Sequence, residues 1–140
     1  MENLERRDFI KTSAVVAGGA MLSSLPLSGA YAAGSDVIKV ALVGCGGRGT
    51  GATFDALSSG MNIKVVALAD AFKDNLDSTY NTLKEKWQDK IDVSDNHKFV
   101  GFDAYKDAIQ LADVVILATP PGFRPAHFEE AIRQGKHVFM

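Results

Sequence analysis

The 140-residue chain contains one cysteine, so it can form no internal disulfide framework and no cysteine-rich metal site. Its formal net charge is only −2, which argues against nucleic acid as a partner. Its four prolines and thirteen glycines are too few for a low-complexity linker. Because 46% of its residues are hydrophobic and 23% are charged, the composition is that of a globular protein, and the length allows one domain at most.

The first 32 residues lack the roughly 20 strongly apolar residues of a transmembrane helix, so we expect no stable membrane anchor. They follow the layout of a secretory signal instead, with Arg6 and Arg7 in a charged head, a weakly apolar stretch, and a cleavage site after Ala32. The paired arginines resemble the bacterial twin-arginine signal, although Glu5 replaces its usual Ser or Thr. We expect export by the twin-arginine translocase to the periplasm; the alternative is an amphipathic helix with a chance arginine pair.

The remainder, residues 33–140, alternates between strand and helix patterns. Apolar, mostly β-branched segments predict parallel strands at residues 37–43, 63–69, 97–100, 114–118 and 137–140. Helical patterns lie between them at residues 50–59, 73–90, 104–111 and 125–134. This order predicts an α/β fold, a Rossmann-type doubly wound parallel sheet with helices on both faces. Because the chain stops inside the fifth strand, we expect a truncated domain.

Two local patterns refine the helix predictions. The apolar residues Leu76, Tyr80, Leu83 and Trp87 are spaced four, three and four residues apart, which places them on one helical face. We interpret this stripe as core. Asp103 precedes a helical pattern and is predicted to cap the helix that follows.

A glycine-rich turn follows the first strand and opens a helix. Gly44, Gly46 and Gly49 fit the dinucleotide-binding fingerprint G-x-G-x-x-G, in the strand–turn–helix context that the fingerprint requires. In that fingerprint the first glycine permits the tight turn, the second admits the pyrophosphate, and the third allows close helix packing. Gly47 lies in the same turn, and Arg48 is either a phosphate contact or a solvated surface residue.

Asp70 ends the second strand, 21 residues after Gly49. The fingerprint expects an acidic residue about 20 residues on, where it binds the adenosine ribose hydroxyls. A carboxylate there repels the extra phosphate of NADP, so NAD is favoured. NADP stays possible because Lys73 could partly offset the repulsion.

A second candidate segment follows the fourth strand. Thr119 and Pro120 stand at its carboxyl end, beside the crevice where such sheets bind ligands. His127, early in the next helix, either faces this crevice or packs on the sheet. No histidine pair has metal-ligand spacing, so no metal site is predicted. Cys45 is interpreted as a small apolar residue, because no second cysteine or obvious base accompanies it.

Together these features resemble the N-terminal, NAD(P)-binding domain of the Gfo/Idh/MocA oxidoreductases. The resemblance covers residues 37–140. It rests on Gly44-Cys45-Gly46-Gly47-Arg48-Gly49, Ala69-Asp70, Asp103-Ala104-Tyr105, Ala118-Thr119-Pro120-Pro121, and the stretch from Gly122 to Met140. A twin-arginine leader is also familiar in this family.

The resemblance implies an exported enzyme that oxidises or reduces a sugar, inositol or related polyol with a nicotinamide cofactor. Gly44, Gly46, Gly49 and Asp70 carry over as cofactor residues, with Thr119, Pro120 and His127 near the nicotinamide. In the family a Glu-Lys-Pro motif with the catalytic lysine follows this segment, and a second domain supplies the substrate pocket. We therefore expect no catalytic residue before Met140, an inactive fragment, and a homo-oligomer at full length.

Three other functions stay open. An NAD-dependent glycosidase would use the same cofactor for a transient oxidation within net hydrolysis. A non-catalytic dinucleotide-binding module would lack the downstream lysine. An S-adenosylmethionine methyltransferase shares the glycine loop and the acidic strand end, but some members carry Asn/Asp-Pro-Pro-aromatic where this chain has Thr119-Pro120-Pro121-Gly122.

Overall fold

The structure is a computed structural model that describes residues 37–140. The signal segment predicted for residues 1–32 lies outside the described residues. The five strands are β1 (Ile38–Val43), β2 (Ile63–Asp70), β3 (Lys98–Val100), β4 (Val114–Leu117) and β5 (His137–Phe139). The four α-helices are α1 (Gly47–Ser58), α2 (Lys73–Lys86), α3 (Ala104–Gln110) and α4 (Arg124–Arg133). Across residues 37–140, no helix is long and apolar enough to cross a membrane.

All five strands form one parallel sheet in the order β3-β2-β1-β4-β5. The order reverses at β1, which pairs with both β2 and β4, so their carboxyl ends meet at one edge. Such a reversal opens a crevice at the strand ends, which is where doubly wound sheets bind ligands. The predicted Rossmann-type fold is confirmed.

The two sheet faces bury different kinds of side chain. The face covered by α1 and α2 is filled mainly by large aliphatic residues such as Leu42, Leu57 and Leu83. The face covered by α3 and α4 is built largely from alanines, including Ala108 and Ala131. Small side chains let a helix lie close to a sheet. Helices α3 and α4 therefore sit directly over the strands that lead to the crevice.

Two local predictions fare differently. The apolar stripe of the second helix is core, because Leu76 and Leu83 are fully buried while Tyr80 and Trp87 pack against them. The helix itself ends at Lys86, four residues before its predicted end, and a 3₁₀ turn follows it.

The prediction that Asp103 caps the third helix is wrong. Asp103 precedes α3, but its backbone is itself helical and its side chain makes no capping hydrogen bond. A capping side chain needs an extended backbone to reach back to the free N–H groups. The carboxylate instead accepts a hydrogen bond from Lys106 Nζ at 2.7 Å.

The glycine turn is where α1 approaches the sheet most closely. Gly44 has φ +98°, and a Cβ there would lie 2.8 Å from the backbone of Ala118 and Thr119. A Cβ at Gly49 would overlap the Gly44 carbonyl oxygen and lie 3.0 Å from Leu42 Cδ1. Both positions therefore require glycine, one for the turn and one for the helix contact.

We expect Gly49→Ala to lower the free energy of unfolding by at least about 2 kcal/mol, because backbone must move to admit the methyl group. Gly51→Ala is the matched control on the same helix, since its Cβ would meet no atom within 4 Å. Its better helix propensity should stabilise the chain by up to about 1 kcal/mol. Urea denaturation measures both variants, and equal effects would contradict the packing role of Gly49.

Candidate functional site

The turn between β1 and α1 presents free backbone N–H groups to the crevice. Gly46 is the N-terminal boundary of α1, and no side chain caps this helix. The first N–H groups of a helix have no acceptor within the helix, and its dipole favours an anion there. A Cβ at Gly46 or Gly47 would meet no atom within 4 Å, so the space in front of the turn is open.

The side-chain carboxylate of Asp70 accepts hydrogen bonds from two backbone N–H groups, one of them in the glycine turn. Its Oδ2 accepts a hydrogen bond from the Cys45 N–H at 2.6 Å, and its Oδ1 accepts one from the Phe72 N–H at 2.8 Å. The carboxylate is therefore held in one orientation at the carboxyl end of β2. Each oxygen keeps a second lone pair, so the group can still accept hydrogen bonds from a ligand.

The loop after β4 forms the opposite wall of the crevice. Its Thr119 carbonyl accepts a hydrogen bond from Arg124 Nε at 2.7 Å, and the Pro120 carbonyl accepts one from the Phe123 N–H at 3.0 Å. The Thr119 hydroxyl lies 3.1 Å from His127 Nδ1. Side chains of α4 thus hold this loop in place.

His127 both faces the crevice and packs inside the fold. It is 6% exposed, and its ring lies against Tyr105 with 4.1 Å between ring centroids. Burial lowers the pKa of His127 below its ordinary value, so the ring is neutral at pH 7. A neutral ring bonded to the Thr119 hydroxyl can orient that hydroxyl but adds no positive charge to the site.

These elements enclose one cavity of about 530 Å³ at the carboxyl edge of the sheet. Six of the nine predicted site residues line it: Gly44, Gly46, Asp70, Thr119, Pro120 and His127. The other three do not. Gly47 lines a neighbouring groove between α1 and α2, Gly49 is buried behind the turn, and Arg48 is exposed and lines neither space.

An aromatic rim around the cavity was missed by the sequence analysis. Phe72, Phe102 and Phe123 line the cavity, yet they are 64%, 69% and 46% exposed. Phe102 and Phe123 stack with 6.0 Å between ring centroids, although they lie on different loops. Exposed aromatics beside a crevice are a binding signal, but their convergence depends on the tertiary fold.

The cavity carries little charge. Of its lining residues, all within the described part of the chain, Asp70 is the one with an ionised side chain. Lys73, which sequence reasoning placed near it, forms an exposed ion pair with Asp77 instead. A phosphate-bearing ligand would therefore meet backbone N–H groups at the glycine turn rather than basic side chains. No group of three or more potential metal-ligating residues occurs between residues 37 and 140.

Known proteins are similar to different parts of this chain. Residues 3–23 match the family model described as "TAT (twin-arginine translocation) pathway signal sequence". A curated relative, a glycosyl hydrolase family 109 protein of Shewanella pealeana, is 30% identical over an alignment 158 residues long, which covers 98% of this chain and 33% of that protein.

Among solved structures, apo scyllo-inositol dehydrogenase from Lactobacillus casei is 26% identical with a TM-score of 0.56, covering 74% of this chain and 28% of that one. A second structure of that enzyme, with NAD(H) and scyllo-inositol bound, is 24% identical with a TM-score of 0.54 and covers 74% and 27%. The resemblance to the Gfo/Idh/MocA oxidoreductases is confirmed. The chain spans about a third of the curated relative that it matches, and it carries a twin-arginine export signal.

Cys45 is confirmed as a small buried residue of the core. Burial, with a further contribution from the Asp70 carboxylate, raises the pKa of its thiol to about 12, against a partial lowering by the hydrogen bond to the Ala69 carbonyl. The thiolate is therefore almost absent at neutral pH. A thiol in this state is chemically inert, which fits a packing role beneath the glycine turn.

We expect Cys45 of the folded chain to react with iodoacetamide at pH 8 at least about 100-fold more slowly than in guanidinium chloride. Mass spectrometry of quenched samples measures both rates, and similar rates would contradict the burial of the thiol. The raised pKa also makes the free energy of unfolding depend on pH. The contribution of the buried Cys45 thiol is fully present below pH 9.0, its ordinary pKa, and is lost as the pH rises towards about 12.

Proposed function

We propose that this chain is the cofactor-binding part of an exported oxidoreductase that binds NAD and acts on a sugar, an inositol or a related polyol. The observation that carries the proposal is the direct bond between its two candidate cofactor elements. The Cys45 N–H of the glycine turn donates to Asp70, and both elements open into one cavity with Thr119 and Pro120.

The residues fit three parts of a dinucleotide. The open, uncapped turn at Gly46 and Gly47 suits the pyrophosphate, because backbone N–H groups and the helix dipole meet negative charge there. Asp70 suits the hydroxyls of the adenosine ribose. Thr119, Pro120 and His127 would lie near the nicotinamide. The bound cofactor would supply hydride transfer, while these residues hold and orient it.

Two features favour NAD over NADP. The fixed Asp70 carboxylate repels a 2′-phosphate, and Lys73, the lysine three residues further along the chain, is paired with Asp77. An exposed ion pair such as Lys73–Asp77 is weak. The charge of Asp70 therefore contributes more to the preference for NAD than the pairing of Lys73 does.

The domain organisation is also part of the proposal. Residues 1–32 are removed after Ala32, residues 33–140 form the dinucleotide-binding domain, and catalysis requires a lysine and a second domain outside this sequence. The chain covers only 33% of the curated relative, which supports this division. The full-length enzyme would be a periplasmic homo-oligomer, and it would leave the cytoplasm folded with its cofactor bound.

Calorimetric titration tests the cofactor assignment. We expect the chain to bind NAD, and Asp70→Asn to weaken that binding about tenfold, because a charged acceptor for the ribose hydroxyls is lost. NADP affinity should fall less or rise, since the repulsive charge is removed. The matched control is Asp74→Asn, an acidic residue in the first turn of α2. Unchanged NAD affinity in Asp70→Asn would refute the ribose contact.

The curated relative favours a second candidate, an NAD-dependent glycosidase that oxidises its substrate transiently. Its net reaction is hydrolysis, so the cofactor returns to its starting redox state in each turnover. Incubation of the full-length enzyme with an aryl glycoside separates the two functions. A glycosidase should release the free sugar without accumulating NADH, whereas a dehydrogenase should accumulate NADH with a sugar or polyol and leave the glycosidic bond intact.

A further inference from the structure

The glycine turn is held from behind by a buried threonine of α2. Thr79 Oγ1 donates a hydrogen bond to the Cys45 carbonyl at 2.8 Å, across 34 residues of sequence. Thr79 is 3% exposed, so water does not compete for this bond. The carbonyl belongs to the peptide that joins Cys45 to Gly46, the residue at which α1 begins.

Thr79 differs from three other hydroxyl residues on these two helices. Thr53, Ser58 and Thr82 each donate to the carbonyl four residues earlier in their own helix, which is the common local bond of a helical hydroxyl. The bond that Thr79 donates leaves its helix and ends on the glycine turn. The Thr79 hydroxyl therefore holds the glycine turn, whereas the other three hydroxyls bond only within their own helices.

A second hydroxyl supports the first. Thr50 Oγ1 lies 2.8 Å from Thr79 Oγ1 and 3.0 Å from the Gly46 carbonyl. Thr79 gives its one proton to Cys45, so the single proton of Thr50 has two acceptors within reach, the Thr79 hydroxyl and the Gly46 carbonyl. When Thr50 donates to Thr79, it polarises the Thr79 hydroxyl and strengthens the bond from Thr79 to the turn.

This bond fixes the direction of the Gly46 N–H. In a trans peptide the C=O and N–H groups point in opposite directions. Since the Cys45 carbonyl points towards α2, the Gly46 N–H points away from α2. Asp70 holds the preceding peptide by accepting the Cys45 N–H at 2.6 Å. The two peptides of Cys45 are thus set independently, one from β2 and one from α2.

We propose that Thr79 is a positioning residue for the cofactor, which presets the Gly46 N–H to meet the pyrophosphate. The inference rests on the proposed dinucleotide-binding function. It matters here because no lysine or arginine lines the cavity, among the residues that the structure describes, so the direction of the backbone N–H groups at the turn has a large effect on phosphate binding. A turn whose amides are already aligned binds the anion without a cost for ordering it.

The test uses the full chain and two ligands that differ in the pyrophosphate, namely ADP and adenosine. Thr79→Val keeps the shape of the side chain but removes the donor. We expect it to weaken ADP binding about fivefold, which is the loss of affinity typical of removing one hydrogen bond. Adenosine binding should change less than about twofold. Thr79→Ser restores the hydroxyl and should restore ADP affinity. Titrations followed by NMR measure both ligands, including millimolar dissociation constants.

Thr82→Val is the matched control, because the Thr82 hydroxyl bonds only within α2 at Ser78. It should change neither ligand's affinity. The free protein gives a second readout, since the Gly46 amide resonance should shift in Thr79→Val and return in Thr79→Ser. A purely structural role would weaken both ligands equally, and that result would overturn the proposal.

Two further outcomes are decisive. Unchanged ADP affinity in a folded Thr79→Val overturns the role of Thr79 while leaving the dinucleotide site in place. Failure of the wild-type chain to bind NAD or ADP overturns the proposed function, and the role of Thr79 with it. Should Thr79→Val not fold, Thr50→Val replaces it, with an expected loss of about twofold for ADP; an equal loss for adenosine overturns the proposal.

Discussion

The candidate site depends on how one residue of the glycine turn, Cys45, is held by strand β2 and helix α2. Its N–H donates to Asp70, its carbonyl accepts from Thr79, and its thiol lies 3.6 Å from the Ala69 carbonyl. The bonds of its carbonyl and its thiol are buried and protected from water, and the bond of its N–H to Asp70 is partly buried. Strand β2, helix α2 and the glycine turn therefore keep one relative arrangement. A ligand at the turn meets a surface that is already formed.

The two faces of the sheet serve this arrangement in different ways. Helices α1 and α2 pack against the leucine-rich face. Both of the hydroxyls behind the turn, Thr50 and Thr79, come from these helices. The alanine-rich face lets α3 and α4 lie close to the strands. Those helices bring Tyr105 and His127 to the cavity from the other side. The crevice is thus a product of the strand order and of core side-chain size together.

Much of this fold could be predicted because it depends on local patterns. Continuous apolar strands such as 114–118 predict burial on both faces, and glycines in the order 44, 46 and 49 follow a strand and open a helix. The stripe that includes Leu76 and Leu83 identified the buried side of its helix correctly. The Asp103 cap failed because capping depends on a backbone dihedral angle, which the residue type alone does not fix.

The sequence by itself determined the export signal, the strand and helix order, and the positions where glycine is required. Each of these follows from residue type and from spacing over a few turns or strands. The tertiary structure alone decided that Phe102 and Phe123 meet and that Thr79 reaches the glycine turn. These contacts join residues on different elements. Long-range packing, rather than local propensity, sets such choices.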